Sequence, residues 1–134
     1  MAKKWIYVAV TLPGDYQCRT RPTYPKLGLH GWTENEKDAL TRHLDESVLG
    51  PVYRNRFGWV EECEVNDAGS SVELPDELFV IVRVSKEWDG EIGGTSWFAN
   101  PAFISEEKAK EYAKRDTELY WYWAVRSRRF RAAT

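Results

Sequence analysis

The chain has 134 residues, a formal net charge of -2 and a pI near 5.8. This charge argues against a globally basic nucleic-acid binder, and two cysteines with two histidines are few for a zinc site, which usually takes four ligands. Aromatic residues make up 14% of the chain, which argues against disorder, and the length fits a single domain over residues 1–134.

The first apolar run is too short for a membrane span and lacks the features of an export signal. It covers residues 5–12 and ends at Pro13 and Gly14 without a small-residue cleavage pattern. Without an export signal we expect a cytoplasmic location, no membrane partner, and free thiols at Cys18 and Cys63.

The hydrophobic pattern predicts four strands and two helices. The strands are expected at residues 5–12, 52–65, 77–85 and 119–125. Thr33 and Glu36 match a capping box before the first helix, and Gly50 and Pro51 mark its end. Ser105 is expected to cap the second helix.

Two segments without hydrophobic period are predicted as long loops. They are residues 13–32 and 86–104, the second with a short extended piece at Trp97 and Phe98. Loops of this length are uncommon in compact domains and are often functional. The element order β-α-β-β-α-β then predicts an α+β, ferredoxin-like split-βαβ sandwich. In that fold a four-stranded antiparallel sheet, in the order 4-1-3-2, carries both helices on one face.

The predicted strands carry apolar side chains on both faces. Trp5 and Tyr7 alternate with aliphatic residues in the first strand, and Trp121 and Trp123 alternate with tyrosines in the last. In a ferredoxin-like sandwich, one set would form an aromatic patch larger than monomers usually expose. Three explanations stay open: a long loop covers the patch, the patch binds a partner protein or a second copy in a homodimer, or it lines a small-molecule pocket.

The predicted topology also separates the charges into two ends. One end would gather the basic residues Lys3, Lys4, Arg54, Arg56, Arg126, Arg128, Arg129 and Arg131. The opposite end would carry the acidic residues Glu61, Glu62, Glu64, Asp67, Glu73, Asp76 and Glu77. The basic end suits phosphates or an acidic protein surface, although a charge run is also typical of a solvated face or a frayed tail.

The candidate binding residues follow from this charge separation, with two tryptophans of the second long loop placed nearby. They are Arg126, Arg128, Arg129, Arg54, Arg56, Trp88 and Trp97. A second candidate set lies in the first long loop and consists of Tyr16, Arg19, Arg21, Tyr24, His30 and Trp32.

No sequence motif indicates catalysis. There is no G-x-S-x-G element, and Gly90, Gly93 and Gly94 are not followed by the GK[ST] of a phosphate-binding loop. Cys18 and His30 share one loop, but their spacing fits no zinc pattern and nothing orients them as nucleophile and base. We therefore predict no metal, no cofactor and no catalytic residue, which favours a non-enzymatic protein.

The leading functional hypothesis is a small protein-interaction module that binds or inhibits another macromolecule stoichiometrically, with another protein as the partner. In its small size and charged composition the chain resembles accessory proteins of phages and other mobile elements. One alternative is a nucleic-acid binder that uses the basic C-terminal end, residues 126–134. The other is a small-molecule binder or enzyme that uses the loop at residues 13–32.

Overall fold

The computed structural model describes residues 3–13, 28–49, 56–85, 97–115 and 120–131. Its strands are β1 (Lys3–Pro13), β2 (Gly28–Thr33), β3 (Arg56–Gly69), β4 (Glu77–Ser85), β5 (Trp97–Phe103) and β6 (Tyr120–Arg128). Its helices are α1 (Lys37–His43), which continues as a π-helical turn (Leu44–Leu49), and α2 (Glu106–Ala113).

The strands form one mixed six-stranded sheet in the order β2-β1-β3-β5-β4-β6. Neighbouring strands run antiparallel except for β3 and β5, which are parallel. The sheet curls into a half-barrel, because the segment after β6 reaches the edge of β2. There Arg129 bridges to Trp32, and the Phe130 amide donates a 2.7 Å hydrogen bond to the Trp32 carbonyl.

The predicted ferredoxin-like fold with a four-stranded antiparallel sheet is therefore wrong. The two segments predicted as long loops, 13–32 and 86–104, contribute the strands β2 and β5. Their sequences concealed this, because β2 holds two glycines in six residues and β5 carries Pro101 in its interior. Glycine and proline are depleted in strands, so hydrophobic pattern and propensity both indicate a loop there.

Gly31 allows β2 to approach the C-terminal segment closely. The register of β1 and β2 shifts between Val8 and Val10, which leaves a bulge around Gly31, whose φ is +104°. A Cβ on Gly31 would lie 3.2 Å from the Cβ of Phe130. Only glycine combines that backbone conformation with this approach at low cost.

The two faces of the curled sheet pack against different partners. The concave face encloses the main core, with Ile6, Val8, Val10, Trp32, Cys63, Val65, Leu78, Val80, Val82, Trp121 and Trp123. On the convex face, Leu40 and Leu44 of the first helical segment pack against Ala9. Ala109 of α2 packs against Ile81 there. Each fully buried leucine or isoleucine contributes about 1.5–3 kcal/mol to stability.

The aromatic residues of β6 are covered on both faces of the curled sheet. Trp121 and Trp123 are almost fully buried inside the curl, and Tyr122 packs beneath α2. Among the described residues, Trp5 is the large aromatic that stays exposed, at 52%. A homodimer through an aromatic face stays a prediction.

The predicted start of the second helix is confirmed, whereas the first helix begins later than predicted, because Thr33 ends β2 and α1 starts at Lys37, after Glu36. The hydroxyl of Thr33 accepts a 3.0 Å hydrogen bond from the Glu36 amide, and the hydroxyl of Ser105 accepts a 3.2 Å bond from the Lys108 amide. The Ser105 bond satisfies a backbone donor in the first turn of α2 that has no partner within the helix, whereas the Thr33 bond lies in the turn before α1.

Side chains of β3 hold β5 in place, because the two strands form a backbone pair at Val65 and Ala102 and diverge on either side. On one side, Oε2 of Glu61 accepts a 3.1 Å hydrogen bond from the Ala99 amide. Beyond the pair, the carboxylate of Asp67 accepts bonds from the amides of Ile104, at 2.7 Å, and Ser105, at 3.0 Å. Asp67 thereby also fixes the start of α2.

We predict that Asp67→Ala lowers the free energy of unfolding by about 2–4 kcal/mol, because two hydrogen bonds to a partly buried carboxylate are lost. Urea unfolding would measure the loss. The neighbouring Asn66→Ala is the control, since the Asn66 side chain is exposed and its Oδ1 accepts a bond from the exposed Lys3 ammonium. Equal losses in the two variants would contradict this account of the β3–β5 junction.

Candidate functional site

The C-terminal arginines and part of the first loop set meet where the sheet curls. Trp32, from that set, is fully buried beneath this contact. Its indole nitrogen donates a 3.2 Å hydrogen bond to the Ser127 carbonyl, and its ring lies 4.4 Å from the guanidinium carbon of Arg129. Two groups that the sequence suggested separately therefore form one site.

A depression of about 560 Å³ lies between the edges of β2 and β6. We call it the basic slot. It is lined by Leu29, His30, Gly31, Arg126, Ser127, Arg128, Arg129, Phe130 and Arg131. The lining holds four arginines and a histidine, and none of these described lining residues carries a carboxylate.

Arg126 and Arg128 form the outer rim of the slot. They alternate along β6, and their side chains are 60% and 83% exposed. Glu77 of β4 lies between them on the side away from β2. Its two oxygens are 3.3 Å from Nε of Arg126 and 3.3 Å from Nε of Arg128. Both guanidinium groups are therefore placed by one partly exposed carboxylate.

Glu106, at the start of α2, supports Arg126 from a second side. Nη2 of Arg126 donates a 3.4 Å hydrogen bond to Oε2 of Glu106. The hydrogen bond and charge of Lys110, followed by those of Arg126, hold the pKa of Glu106 below its usual value. The carboxylate therefore stays ionised beside the rim.

Arg129 contributes to the packing of the fold and is not part of the exposed rim of the slot, because its side chain is only 23% exposed. Its Nη2 donates a 2.6 Å hydrogen bond to the Leu74 carbonyl, and its Nε lies 3.2 Å from Oδ1 of Asp76. A further ion pair at 3.6 Å joins Arg129 to Glu34. These contacts, with the stacking on Trp32, lock the guanidinium in place.

Ser127 is a buried polar residue in the lining, between Arg126 and Arg128. Its side chain is 4% exposed, and its Oγ has no hydrogen-bond partner in the described part of the chain. A buried hydroxyl without a partner is costly, so such groups are usually explained by a ligand, a water or a function. Along β6, however, the side chain of Ser127 alternates with those of Arg126 and Arg128, so its hydroxyl lies on the opposite, buried side of the strand.

The distance between His30 and Thr11 is that of a base and a nucleophile, but the hydroxyl of Thr11 is not accessible. Nε2 of His30 lies 2.7 Å from the hydroxyl of Thr11, within the range of such pairs. Thr11 is only 3% exposed, which withholds its hydroxyl from a substrate. The bond instead ties β2 to β1.

Two titratable groups of β3 have raised pKa values, and neither belongs to the lining of the slot. Burial raises the pKa of Glu61, while hydrogen bonds from Ala99 and Trp59 and the charge of Arg83 act in the opposite direction. Burial also raises the pKa of the Cys63 thiol, and the charges of Glu61 and Glu64 add to that rise. Cys63 is a free, buried thiol, as the sequence suggested for a small residue within a strand.

The remaining predicted site residues are elsewhere. The backbone of Arg56 lies opposite Pro13, and that of Trp97 lies opposite Val84, both at the end of the sheet away from Arg128. The side chains of Arg56 and Trp97 lie outside the part of the chain that the structure describes. Outside the described residues altogether are Arg54, Trp88, Tyr16, Arg19, Arg21, Tyr24 and Cys18.

The expected separation of charges into two ends is wrong. The register places Arg56 and Arg128 at opposite ends of the sheet. Asp76 and Glu77, expected far from the C-terminal arginines, form ion pairs with them. The reason is that β4 pairs antiparallel with β6, which brings the acidic start of one beside the basic end of the other.

The importance of Glu77 and Ser127 was missed at the sequence level. Glu77 gains its place from the β4–β6 register, in which it lies opposite Arg128. Ser127 gains its burial from the curl that carries Trp32 over it. Neither relationship has a local sequence signal.

Comparison with protein-family models, with curated proteins and with solved structures finds no match for this chain. Within the described ranges, no group of metal-ligating side chains is suited to hold a metal ion. No helix in those ranges is long and apolar enough to cross a membrane.

We predict that Trp32→Phe lowers the free energy of unfolding by about 2–3 kcal/mol. The change leaves the Ser127 carbonyl without its indole donor and reduces the packing of a fully buried ring. Trp5→Phe is the matched control, because Trp5 is 52% exposed and should lose less than about 0.5 kcal/mol. Thermal or urea unfolding that gave the same loss for both would refute the role of Trp32 in closing the sheet.

We also predict that Glu61→Gln reduces the dependence of stability on pH. Burial raises the folded-state pKa of Glu61 above its ordinary 4.5, so the contribution of Glu61 is fully present below that value. It is lost as the pH rises through the raised pKa, and a glutamine does not ionise. Urea unfolding from about pH 4 to about pH 7 should therefore show a smaller decline in Glu61→Gln than in wild type. Glu62→Gln, at an exposed neighbour, is the control for the change in net charge, and equal slopes in the two variants would refute the assignment.

Proposed function

We propose that the protein is a small, non-enzymatic binding module that docks an acidic segment of another protein in the basic slot. The observation that carries this proposal is the lining of the slot, which combines four arginines and a histidine without a described carboxylate. A cationic depression of this kind favours ligands that bear negative charge.

Arginine side chains suit carboxylates for geometric reasons. The planar guanidinium presents parallel N–H donors that match the two oxygens of a carboxylate, and such pairs give orientation as well as affinity. Arg128, at 83% exposure, and Arg131, at 70%, keep most of their surface available to a partner. Arginine is also enriched at protein interfaces.

A protein partner is favoured over a nucleic acid by what surrounds the slot. Four carboxylates contact its arginines from outside the lining, and these belong to Glu34, Asp76, Glu77 and Glu106. A long phosphate backbone would pass close to several of them, which costs affinity, whereas a short acidic segment need not. The size of the slot, about 560 Å³, also suits a few side chains.

A stoichiometric binder or inhibitor is the form of this function that the slot supports. Acyl transfer would need an accessible hydroxyl beside the imidazole of His30, and the hydroxyl of Thr11 is buried. Binding through exposed arginines instead needs only a complementary surface. No residue of the slot adds support for the expectation that the protein is an accessory protein of a phage or another mobile element.

We predict that the double variant Arg126→Ala/Arg128→Ala weakens binding of a glutamate-rich peptide about tenfold or more, because both rim guanidinium groups are lost. Fluorescence anisotropy at low salt would measure the affinity. The charge-matched control is Lys108→Ala/Lys114→Ala, with Lys108 in α2 and Lys114 directly after it, which removes as much positive charge outside the slot and should change affinity less than about twofold.

Two outcomes would overturn the proposal. Equal weakening by both double variants would show that only overall charge matters. Tighter binding of a single-stranded DNA of comparable length than of the peptide, lost in Arg126→Ala/Arg128→Ala, would favour the nucleic-acid alternative instead.

A further inference from the structure

We infer that the basic slot selects an extended acidic segment whose carboxylates are two residues apart, and that Glu77 occupies the two rim arginines until such a segment displaces it. This inference rests on the proposed function. It adds to that function a sequence pattern for the partner and a built-in competitor.

The spacing follows from the position of the arginines on one strand. Arg126 and Arg128 are alternate residues of β6, so their side chains leave the same face about 6.6–6.8 Å apart along the strand. An extended partner segment has the same repeat. Carboxylates at alternate positions would therefore each meet one guanidinium, whereas adjacent carboxylates would point to opposite faces.

Glu77 reveals what the two arginines accept. Its carboxylate divides its oxygens between them, with one Nε contact of 3.3 Å to each. The single Glu77 carboxylate thus occupies both guanidinium groups that we assign to the carboxylates of the partner. It reaches the arginines from the β4 side, opposite the slot. The arginine side chains can turn from Glu77 toward β2 because they are long and mostly exposed.

The contacts with Glu77 are weak enough to be exchanged. All three side chains are partly or largely exposed, at 36% for Glu77, 60% for Arg126 and 83% for Arg128. Solvent and salt screen such pairs, which contribute little each. A partner that brings a separate carboxylate to each arginine offers more pairs than the single group it displaces.

The test compares two peptides of identical composition, one with alternating glutamate and serine and one with its glutamates in adjacent pairs. Affinities at low salt are measured for wild type, for Glu77→Gln and for Glu73→Gln. Glu73 is an exposed neighbour on the approach to β4 without a described contact to the rim arginines, so its variant controls for the change in net charge.

We expect the alternating peptide to bind wild type about five- to tenfold more tightly than the paired peptide. We expect Glu77→Gln to bind the alternating peptide about three- to tenfold more tightly than wild type, because both rim arginines lose their internal partner. Glu73→Gln should change that affinity less than about twofold.

The failures of the inference and of the proposed function are distinguishable. If both peptides bind equally, or Glu77→Gln behaves like Glu73→Gln, while Arg126→Ala/Arg128→Ala still weakens binding, the inference is wrong and the proposed function stands. If Arg126→Ala/Arg128→Ala leaves both affinities unchanged, the slot is not the binding site and both fail. Circular dichroism of each variant confirms that the comparison is made between folded proteins.

Discussion

The contact between Trp32 and the C-terminal segment determines the shape of the sheet. β2 and β6 are the two ends of the strand order, so without this contact both would be open edges. The Trp32 carbonyl and indole nitrogen bind the backbone on either side of Arg128, at Phe130 and Ser127. The ring also supports the guanidinium of Arg129. The same contact that curls the sheet therefore creates the basic slot beside it.

The curl also explains why the strands are apolar on both faces. An open sheet with helices on one side needs a single apolar face, whereas this sheet encloses a core on its concave face and carries helices on its convex face. In β6, the tryptophans fill the inside and Tyr122 packs under α2. Toward its end the same strand changes to Arg126 and Arg128 on the convex face, where helix cover stops. Burial and the binding that we propose thus use successive parts of one strand.

Local signals in the sequence predicted the elements that have strong periodicity or caps. The strand at residues 77–85 and the capping residue Ser105 are confirmed, because propensity and capping act over a few neighbours. The short extended piece expected at Trp97 and Phe98 forms the start of β5, but the rest of β5 and all of β2 were not predicted, since their glycines and proline are tolerated only through long-range contacts such as Gly31 with Phe130. The site shows the same division. Arg126, Arg128, His30 and Trp32 were candidates from residue type, but their convergence depends on the curl, and the contribution of Glu77 depends on strand register.

A basic site in a chain of net charge -2 follows from where the carboxylates lie, not from how many there are. Asp76 and Glu77 reach the arginines from the start of β4, so their charge is placed on one side of β6. The other side of β6 faces β2, whose described residues carry no carboxylate. Each rim arginine is thus oriented by an acid behind it while its exposed surface faces the slot. Rim charges of this kind act mainly on association rate and selectivity. The buried Trp32 and the partly buried Arg129 therefore define the form of the site, and the exposed Arg126 and Arg128 supply the preference for negative charge that we propose.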